Sequence, residues 1–543
     1  MAIALPPPID PQEGSPLELR QQWLAQPALS IDYQGAHLHV FGSHLAPAER
    51  LRQAVAAAAN LSEAIRAIGY VQYSSGYPAS LVSYAAVNDG AGYDIYVRVL
   101  PGRVREVQAP PALQRYFADL AGGKGPLTDT ALESDRVLAD GLTERAGERY
   151  QAVFTPLGGD EVRLDLGQPA PGARQTAVLG SFSNYGNRYA GPYLAQAGLR
   201  QAFSTGDELT LTGAGSVRFL GLGGARSEPY HEGDGGWSRV TRFGVFALQG
   251  RYADFSQQVQ GIRFNGTLES GSAAWLYPVY SDFRQRFNLQ ARVLREHEAA
   301  DTPAQTVNCN VLGGLLELLG LVNCPLVAAP GGEVLSELYN SAELGLSYVG
   351  RSQQGERQNE LQAGLLLRKG LGRHHAGGSG ASLDYFLLQP SFNLRYALTA
   401  RWTALADGSF QLSNNVLPQQ EKFVIGGPAS LHAYEAGSGI GDHGESLRLG
   451  AEWKGYADSW TERYGIRPRG FVEYGSTRLE AGALGAVDGR VTVADAGAAT
   501  DLRFNSWLGG SLSLAQSFYS RGAQNSPDGL ATKYVFFQLA AKY

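Results

Sequence analysis

The sequence predicts two small α+β domains in tandem, followed by a sixteen-stranded antiparallel transmembrane β-barrel. Residues 36–167 twice repeat the order strand, helix, helix, strand, strand, which indicates two copies of one small unit. From about residue 172 onward, apolar and polar residues alternate with period two, and the connections between these runs are either very short or very long. This combination is typical of a barrel that crosses a membrane.

Composition narrows the function before any motif is considered. Only 18% of the 543 residues are charged, and the chain contains 69 glycines, 27 tyrosines and 21 phenylalanines, a profile unlike that of an average soluble enzyme. The net charge of −6 and the lack of a basic stripe in the sequence exclude a nucleic-acid partner. No residues have the spacing of a catalytic, cofactor or metal site, so we expect a protein that is not an enzyme and uses no cofactor or metal.

The N-terminal segment, residues 1–35, contains one predicted helix, SPLELRQQWLAQ. Ser15 is its expected N-cap, Pro16 occupies its first position, and Glu18 completes a capping box with Ser15. The residues before it lack the charged and apolar regions of a signal peptide, so we interpret the chain as a mature or recloned form. The linker at 27–35 spans roughly 30 Å when fully extended, so we expect the helix to stay outside the deep interior of the barrel.

The two repeated domains are predicted at residues 36–101 and 102–171. In LSEAIRAI, Leu61, Ile65 and Ile68 have helical spacing, whereas LVSYAAV and YDIYVRVL have the pattern of strands. The second copy repeats the order with VREVQA, the helices ALQRYFADL and TALESDRVLADGLTE, and the strands RYQAVF and EVRLDL.

The barrel is predicted for residues 172–543. In AELGLSY, Leu344 and Leu346 point to one face and Glu343 to the other. A soluble β-sandwich also alternates, but charges in the middle of strands and very long connections disfavour it. About 370 residues among sixteen strands leave roughly 23 for each strand and its connection, which suits spans of about 9–11 residues. The charged side chains predicted to face the interior are Arg292, Glu343, Arg395, Arg448 and Glu452.

Connection lengths divide the barrel into two ends. Long connections are predicted at residues 221–238, around the two cysteines and at 372–382, and the run from Arg295 to Glu298 is interpreted as a rim. Short turns are predicted at STGD, at SDFRQ and around residues 399–401.

Two further features fit an outer-membrane barrel. Alternate residues of the last strand form an apolar stripe that ends in an aromatic residue and consists of Val535, Phe537, Leu539, Ala541 and Tyr543. The stripe resembles the assembly signal of such barrels. The alternative is a generic edge strand. Cys309 and Cys324 are the two cysteines of the chain. A close pair favours a disulfide within a loop in an oxidising compartment, and two free buried thiols are the alternative.

Residues 423–444, FVIGGPASLHAYEAGSGIGDHG, are rich in glycine and match no catalytic spacing. They predict a long shaped loop that is held by its surroundings. This stretch resembles the sixth extracellular loop of the two-partner secretion transporters, the haemolysin secretion/activation family of the POTRA-barrel superfamily. Residues 183–213 resemble the first hairpin of that family, and residues 271–294 resemble a later strand-turn-strand segment. The two repeated domains then correspond to tandem POTRA domains.

The resemblance implies a loop, at about residues 423–445, that folds back into the barrel. The loop residues that match are Gly426, Gly427, Pro428, Leu431, His432, Ala433, Tyr434, Gly441 and Asp442, and the barrel-wall residues that match are Phe471, Glu473 and Gly475. In the family an arginine at the loop tip contacts an aspartate on the wall, whereas this chain has His432 and Glu473 at those positions. A contact between them is one expectation; the alternative is that each is simply a polar residue facing the interior.

The resemblance also implies a function. Such transporters recognise an unfolded exoprotein, often β-helical and encoded nearby, through periplasmic POTRA domains and pass it outward through the barrel. The expected partners are this exoprotein, outer-membrane lipid and the barrel assembly machinery, for a monomer in the bacterial outer membrane. An outer-membrane insertase of the same superfamily is the first alternative, and a surface enzyme or adhesin built on a barrel is the second.

Overall fold

The computed structural model contains two α/β units and a closed barrel, which confirms the predicted fold class. The structure describes residues 2–4, 16–25, 29–42, 46–88, 93–187, 191–217, 230–259, 262–307, 327–329, 331–354, 357–372, 374–377, 380–455, 463–480, 489–522, 530 and 532–543. Among the helices in these ranges, none combines the length and the apolar character needed to cross a membrane.

The first α/β unit is a four-stranded sheet with helices on both faces. Its elements, with two that precede it, are β1 (Ala2–Ala4), α1 (Pro16–Ala25), β2 (Leu29–Tyr33), β3 (Ala36–Phe41), α2 (Ala48–Ala56), α3 (Leu61–Ser74), β4 (Leu81–Asn88) and β5 (Tyr93–Leu100). The sheet order is β2-β3-β5-β4. Leu51 and Ile68 of α2 and α3 are buried on one face, while Leu19 of α1 packs with Phe41 and Tyr96 on the other. Helix α1 therefore lies on this unit and outside the barrel, as predicted.

The predicted linker at residues 27–35 is wrong in part, because β2 lies within it and pairs with β3. Leu29, Ile31 and Tyr33 alternate toward one face, and Gly35 has φ +83° in the turn that follows. The hairpin crosses the predicted domain boundary after residue 35.

The second α/β unit takes its sheet partly from the N-terminus of the chain. Its elements are β6 (Arg103–Gln108), α4 (Pro111–Gln114), α5 (Asp129–Arg145), β7 (Glu148–Arg149), β8 (Gln151–Gly158), β9 (Glu161–Leu166) and β10 (Ala170–Pro171). The sheet order is β1-β8-β9-β6, so the strand at residues 2–4 joins this unit. The first predicted helix of this copy is shorter than expected, because the chain turns after Gln114 and buries Phe117 in the core.

The barrel wall has sixteen positions. The elements of this region are β11 (Thr176–Ser183), β12 (Leu194–Ala202), β13 (Asp207–Ser216), β14 (Tyr230–Thr241), β15 (Gly244–Val259), β16 (Ile262–Ser281), β17 (Gln285–Thr302), β18 (Gln305–Val307), β19 (Val327–Ala329), β20 (Gly332–Gln354), β21 (Arg357–Gly370), β22 (His374–Gly377), β23 (Phe386–Ala397), β24 (Trp402–Ser413), a 3₁₀ helix (Gln419–Glu421), β25 (Phe423–Ile425), β26 (Gly439–Gly441), β27 (His443–Trp453), β28 (Arg467–Arg478), β29 (Arg490–Arg503), β30 (Leu508–Arg521) and β31 (Val535–Lys542). Strands β21 and β22 share one position, since both pair with β20. The pairs β18-β19 and β25-β26 are separate two-stranded sheets and are not part of the wall.

The barrel has a turn end, where β12 meets β13, and an opposite loop end. Residues 203–206, 282–284 and 398–401 form short connections at the turn end, as predicted. Two predicted long connections need correction. Residues 230–238 belong to β14, and part of the segment 372–382 is β22, because both pair with neighbouring strands.

Alternation places apolar residues outside and charged residues inside. Leu344 and Leu346 are exposed on the outer face, whereas Glu343, which precedes Leu344, is buried on the inner face. The last strand, β31, pairs with both β30 and β11 and so closes the barrel. Val535 and Leu539, from the predicted C-terminal stripe, are exposed on its outer face.

Both α/β units contact the turn end. The Arg145 guanidinium of α5 donates hydrogen bonds to the carbonyl oxygens of Gly206 and Ser238, at 2.7 and 2.9 Å. From the first unit, the Tyr73 ring stacks on Phe283 with 4.6 Å between centroids. The backbone carbonyl of the next residue in α3 accepts a hydrogen bond from Arg284 at 3.2 Å.

Candidate functional site

The candidate site is the connection between β24 and β27, residues 414–442, which we name loop 6. It is the sixth connection at the loop end, and its strands β25 and β26 form a hairpin inside the barrel. Gly426 has φ +104°, and a Cβ at this position would lie 2.0 Å from the carbonyl oxygen of Glu435. Only glycine fits such a conformation and such a close approach, which explains why this part of the motif is glycine.

The tip of loop 6 is a compact turn. The Gly427 N–H donates to the Tyr434 carbonyl at 2.7 Å, and the Gly426 N–H donates to the Ser430 hydroxyl at 2.8 Å. The Leu431 side chain is fully buried at Gly475 of β28, where a Cβ would come within 2.5 Å of it. The wall glycine therefore makes room for the loop leucine.

Two wall carboxylates hold the tip. The backbone N–H of His432 donates to Glu473 of β28 at 2.7 Å, and its imidazole Nδ1 lies 2.8 and 3.1 Å from the two carboxylate oxygens of Glu473. The next backbone N–H, of Ala433, donates to Asp495 of β29 at 2.8 Å. Both carboxylates are fully buried, and the His432 ring packs on Phe471 with 4.6 Å between ring centroids. The structure thus brings together the two residues predicted from the motif.

A guanidinium at this site comes from the neighbouring strand rather than from the loop. Arg448 of β27 forms an ion pair with Glu473 and donates to the Pro428 carbonyl at 3.1 Å. Its other nitrogen lies 3.7 Å from Asp407 of β24. Sequence reasoning placed Arg448 on the inner face but did not assign it to Glu473. Alternation in SLRLGAEW and the pairing of the consecutive strands β27 and β28, in which Arg448 lies opposite Glu473, could have suggested the contact.

Two residues at the tip contact differ from the resembled family, and the differences in side-chain length compensate for each other. Histidine is shorter than the arginine of the resembled family, whereas glutamate is one methylene longer than aspartate, so the longer wall side chain reaches the shorter tip side chain. Since one contact uses the main chain of His432, it does not depend on the identity of that side chain. We name His432, Ala433, Arg448, Glu473 and Asp495 together the tip anchor.

Other motif residues fix the flanks of the loop. The Tyr434 ring is buried, and its hydroxyl hydrogen-bonds the Ser517 hydroxyl of β30 and the Tyr519 carbonyl. The Asp442 carboxylate accepts the backbone N–H of Leu417 at 2.7 Å and that of Glu480 at 2.8 Å. Asp442 therefore ties the two ends of loop 6 to the connection that follows β28.

A second anchor lies at the start of loop 6, and the motifs gave no sign of it. Glu421, in the 3₁₀ helix, forms an ion pair with Arg368 of β21, which also donates to Glu343 of β20 at 2.7 Å. The Tyr339 hydroxyl donates to Glu421 at 3.3 Å. Both carboxylates are buried. We name Glu343, Arg368 and Glu421 the base anchor.

The interior next to the base anchor is acidic. Glu296 and Glu298 lie within β17 and are 8% and 4% exposed, so the interpretation of this run as a rim at a strand end is wrong. The even-numbered residues of this strand face inward, which places both glutamates inside the barrel. Glu337 of β20 is also buried and accepts the backbone N–H of Gln419 at 3.3 Å.

Across the described ranges, no three His, Cys, Asp or Glu residues are placed so that they could hold a metal ion. The predicted disulfide between Cys309 and Cys324 lies outside the described residues. What the site offers chemically is therefore a set of buried ion pairs and hydrogen bonds that seat a loop across the interior of the barrel.

The fold and the site define a transmembrane β-barrel protein whose interior is occupied by an anchored loop. Residues 333–504 match the family model described as haemolysin secretion/activation protein ShlB/FhaC/HecB. The matched region contains loop 6, both wall carboxylates and the base anchor. This match confirms the resemblance to two-partner secretion transporters that the sequence motifs predicted. No curated protein matches the chain significantly.

Solved structures share the fold across nearly the whole chain. CdiB from Escherichia coli is 14% identical, with a TM-score of 0.61 over 95% of this chain and 91% of that one. CdiB from Acinetobacter baumannii is 12% identical, with a TM-score of 0.57 over 99% and 95%. BamA from Haemophilus ducreyi, lacking POTRA domains 1–3, is 14% identical, with a TM-score of 0.50 over 95% and 100%. At these identities the likeness concerns the fold alone.

Proposed function

We propose that this protein is a translocator that recognises an unfolded partner exoprotein in the periplasm and secretes it through its barrel, as in two-partner, type V secretion. The observation that carries the proposal is the family match over residues 333–504, because this region holds the loop and its wall seat. The barrel supplies the path, and the two α/β units lie at its turn end, where a client would enter.

The proposed orientation follows from the barrel. Outer-membrane barrels have short turns on the periplasmic side and long loops outside. The α/β units contact the turn end through Arg145 and Tyr73. In this orientation both units, as POTRA domains, stand in the periplasm, and loop 6 enters the barrel from the cell exterior.

Client recognition is proposed to use sheet edges. A small sheet with a free edge can take an extended peptide by adding it as another strand, and backbone hydrogen bonds then supply affinity without demanding one sequence. This mode suits an unfolded β-rich exoprotein, which presents many extended segments. The exoprotein is expected to be encoded next to this chain.

Loop 6 is proposed to be the movable part of the channel. It is held at two points by buried groups, so its release requires both anchors to open, while the wall around it stays paired. When it is released, the protein is expected to conduct ions as a porin does, because the inner face is charged.

The second candidate function is assembly of other outer-membrane barrels, and it rests on the fold-level likeness to BamA. The two functions differ in their client. An insertase folds barrels into the membrane, whereas a translocator delivers a soluble exoprotein to the medium.

The test is to express this chain with the exoprotein encoded beside it in a host that lacks both. We expect the exoprotein in the medium with the wild-type chain and strongly reduced amounts with Glu473→Ala. Asp501→Ala, which removes a partly exposed partner of Arg469, is the matched control. Normal secretion without this chain, or depletion of host barrels in its absence, would contradict the proposal.

A further inference from the structure

One edge strand of the second α/β unit, β1, comes from residues 2–4 and not from the segment that forms the rest of the unit. Strand β1 pairs in parallel with β8, with Ala2, Ile3 and Ala4 opposite Gln151, Ala152 and Val153. Strand β8 pairs on its other side with β9. Residues 2–4 thus occupy the edge of β8 by strand addition within the same chain.

The opposite edge of this sheet is protected. Strand β6 has a register shift between Val104 and Glu106, and its sequence RVREVQ contains three charged residues. The Arg105 carbonyl of this strand accepts the backbone N–H of Gly122 at 3.2 Å. A bulge, charges and an overlying loop are the features by which proteins block the pairing of an edge.

Along Gln151–Thr155 the β8 edge has neither the register shift nor the charges of β6. This stretch carries no charged residue and keeps a regular register with β9, which is interrupted only after Pro156. Its backbone groups are therefore a template for a further strand. Residues 2–4 pair with Gln151–Val153, so an extended client segment that pairs along all of Gln151–Thr155 can form more hydrogen bonds than these three residues do.

We infer that residues 2–4 are a built-in competitor for the exoprotein at the β8 edge. This inference rests on the proposed function and adds its regulation. The edge stays closed by a short tethered strand until an extended client segment displaces it. Tethering gives residues 2–4 an effective concentration on the order of millimolar, so weak or brief contacts from other unfolded chains do not open the edge.

The direct test locks the edge in the full chain, with Cys309→Ser and Cys324→Ser as the background. Ala4→Cys with Val153→Cys joins register partners of β1 and β8. The matched control is Ala4→Cys with Ser30→Cys, which pairs the same residue with β2, an edge strand of the first unit. Oxidation should cross-link the first pair and leave the control pair free, and the cross-link should reduce exoprotein secretion at least about tenfold, with recovery on reduction.

A binding measurement tests competition at the β8 edge independently of secretion. The probe is a fluorescein-labelled synthetic peptide of residues 1–8. We expect it to bind a variant that lacks residues 2–4 at least about tenfold more tightly than the full chain, since the tethered strand no longer competes. Deletion should also increase hydrogen exchange at Gln151–Val153 and leave β9 unchanged.

The outcomes separate the two proposals. Equal peptide binding by the full chain and the deletion variant, or normal secretion by the cross-linked chain, would overturn the inference. If the wild-type chain secretes no exoprotein at all, the proposed function fails, while the peptide and exchange results still decide whether residues 2–4 compete for the β8 edge.

Discussion

The two anchors of loop 6 differ in which partner, the wall or the loop, provides the carboxylate. At the tip anchor the wall provides the carboxylates, Glu473 and Asp495, and the loop provides main-chain N–H groups and an imidazole. At the base anchor the loop provides the carboxylate of Glu421, and the wall provides the guanidinium of Arg368. The tip can therefore change its side chain and keep hydrogen bonds, whereas the Glu421 contacts at the base, the Arg368 ion pair and the Tyr339 hydrogen bond, both need the carboxylate side chain.

This difference explains why the tip tolerates histidine in place of arginine. The wall carboxylate still accepts a backbone N–H, and Arg448 supplies a permanent positive charge from the neighbouring strand. Three predictions test this comparison, and a fourth concerns a carboxyl group in α5.

The largest effect is expected from Glu473→Ala. This change leaves Arg448 and the His432 N–H without their buried acceptor, and removing one partner of a buried pair costs about 3–5 kcal/mol. Thermal unfolding of the purified barrel in detergent should show a clear loss of stability. Asp501→Ala should behave like wild type, and equal unfolding of all three proteins would show that Glu473 does not hold the tip.

The next effect is expected from Arg368→Met, which breaks the base anchor. Glu343 and Glu421 would then be buried without a cation, at a cost of about 3 kcal/mol. Adding Glu421→Gln should restore part of the stability, because it removes one of the two unpaired charges. Additive losses in the double variant, measured by the same unfolding assay, would argue against a coupled anchor.

A smaller effect should distinguish the main chain of His432 from its side chain. His432→Ala removes one hydrogen bond to a charged group, which is worth about 1.5–3 kcal/mol. His432→Pro removes the backbone N–H as well and should destabilise the barrel further. The comparison is made by unfolding in detergent, and an alanine variant as unstable as the proline variant would show that the imidazole alone carries the contact.

The fourth prediction concerns a half-buried carboxyl group outside the barrel, Asp135, one oxygen of which has no hydrogen-bond partner. In α5, burial, with a contribution from the negative charge of Asp119, raises the pKa of Asp135 to about 7. The folded state binds the proton more tightly than the unfolded state, so this group lowers the free energy of unfolding as pH rises from about 4 to about 7. Asp135→Asn should remove this pH dependence and stabilise the second unit at pH 8, measured by hydrogen exchange in α5. A pH profile identical to that of wild type would contradict the assignment.

The sequence predicted the barrel and the tip but not the base. Period-two alternation is a repeated signal, so it predicts strands and the inward face of Glu343 and Arg448, and the length of the barrel region predicts that the strands number sixteen. The tip residues carry a motif whose glycines have a steric cause, as at Gly426 and Gly475. Arg368 and Glu421 meet only because the strand at β21 and the entry of loop 6 converge across the interior, and no local spacing reports such a contact.

The first unit shows the same limit. Strand β2 alternates over only five residues, which is too short to be told from a linker by pattern alone. Likewise, the addition of β1 to the second unit depends on a contact between residues about 150 positions apart in the chain. Contacts of this range depend on the assembled fold.

In this structure the tip anchor keeps loop 6 inside the barrel. The most direct test is single-channel conductance in planar bilayers for wild type, Glu473→Ala and a variant that lacks residues 426–438. We predict low conductance for wild type, high conductance for the loop deletion, and a value for Glu473→Ala that approaches that of the deletion. A Glu473→Ala channel that conducts like wild type, beside a deletion variant that is open, would show that loop 6 is held without this carboxylate.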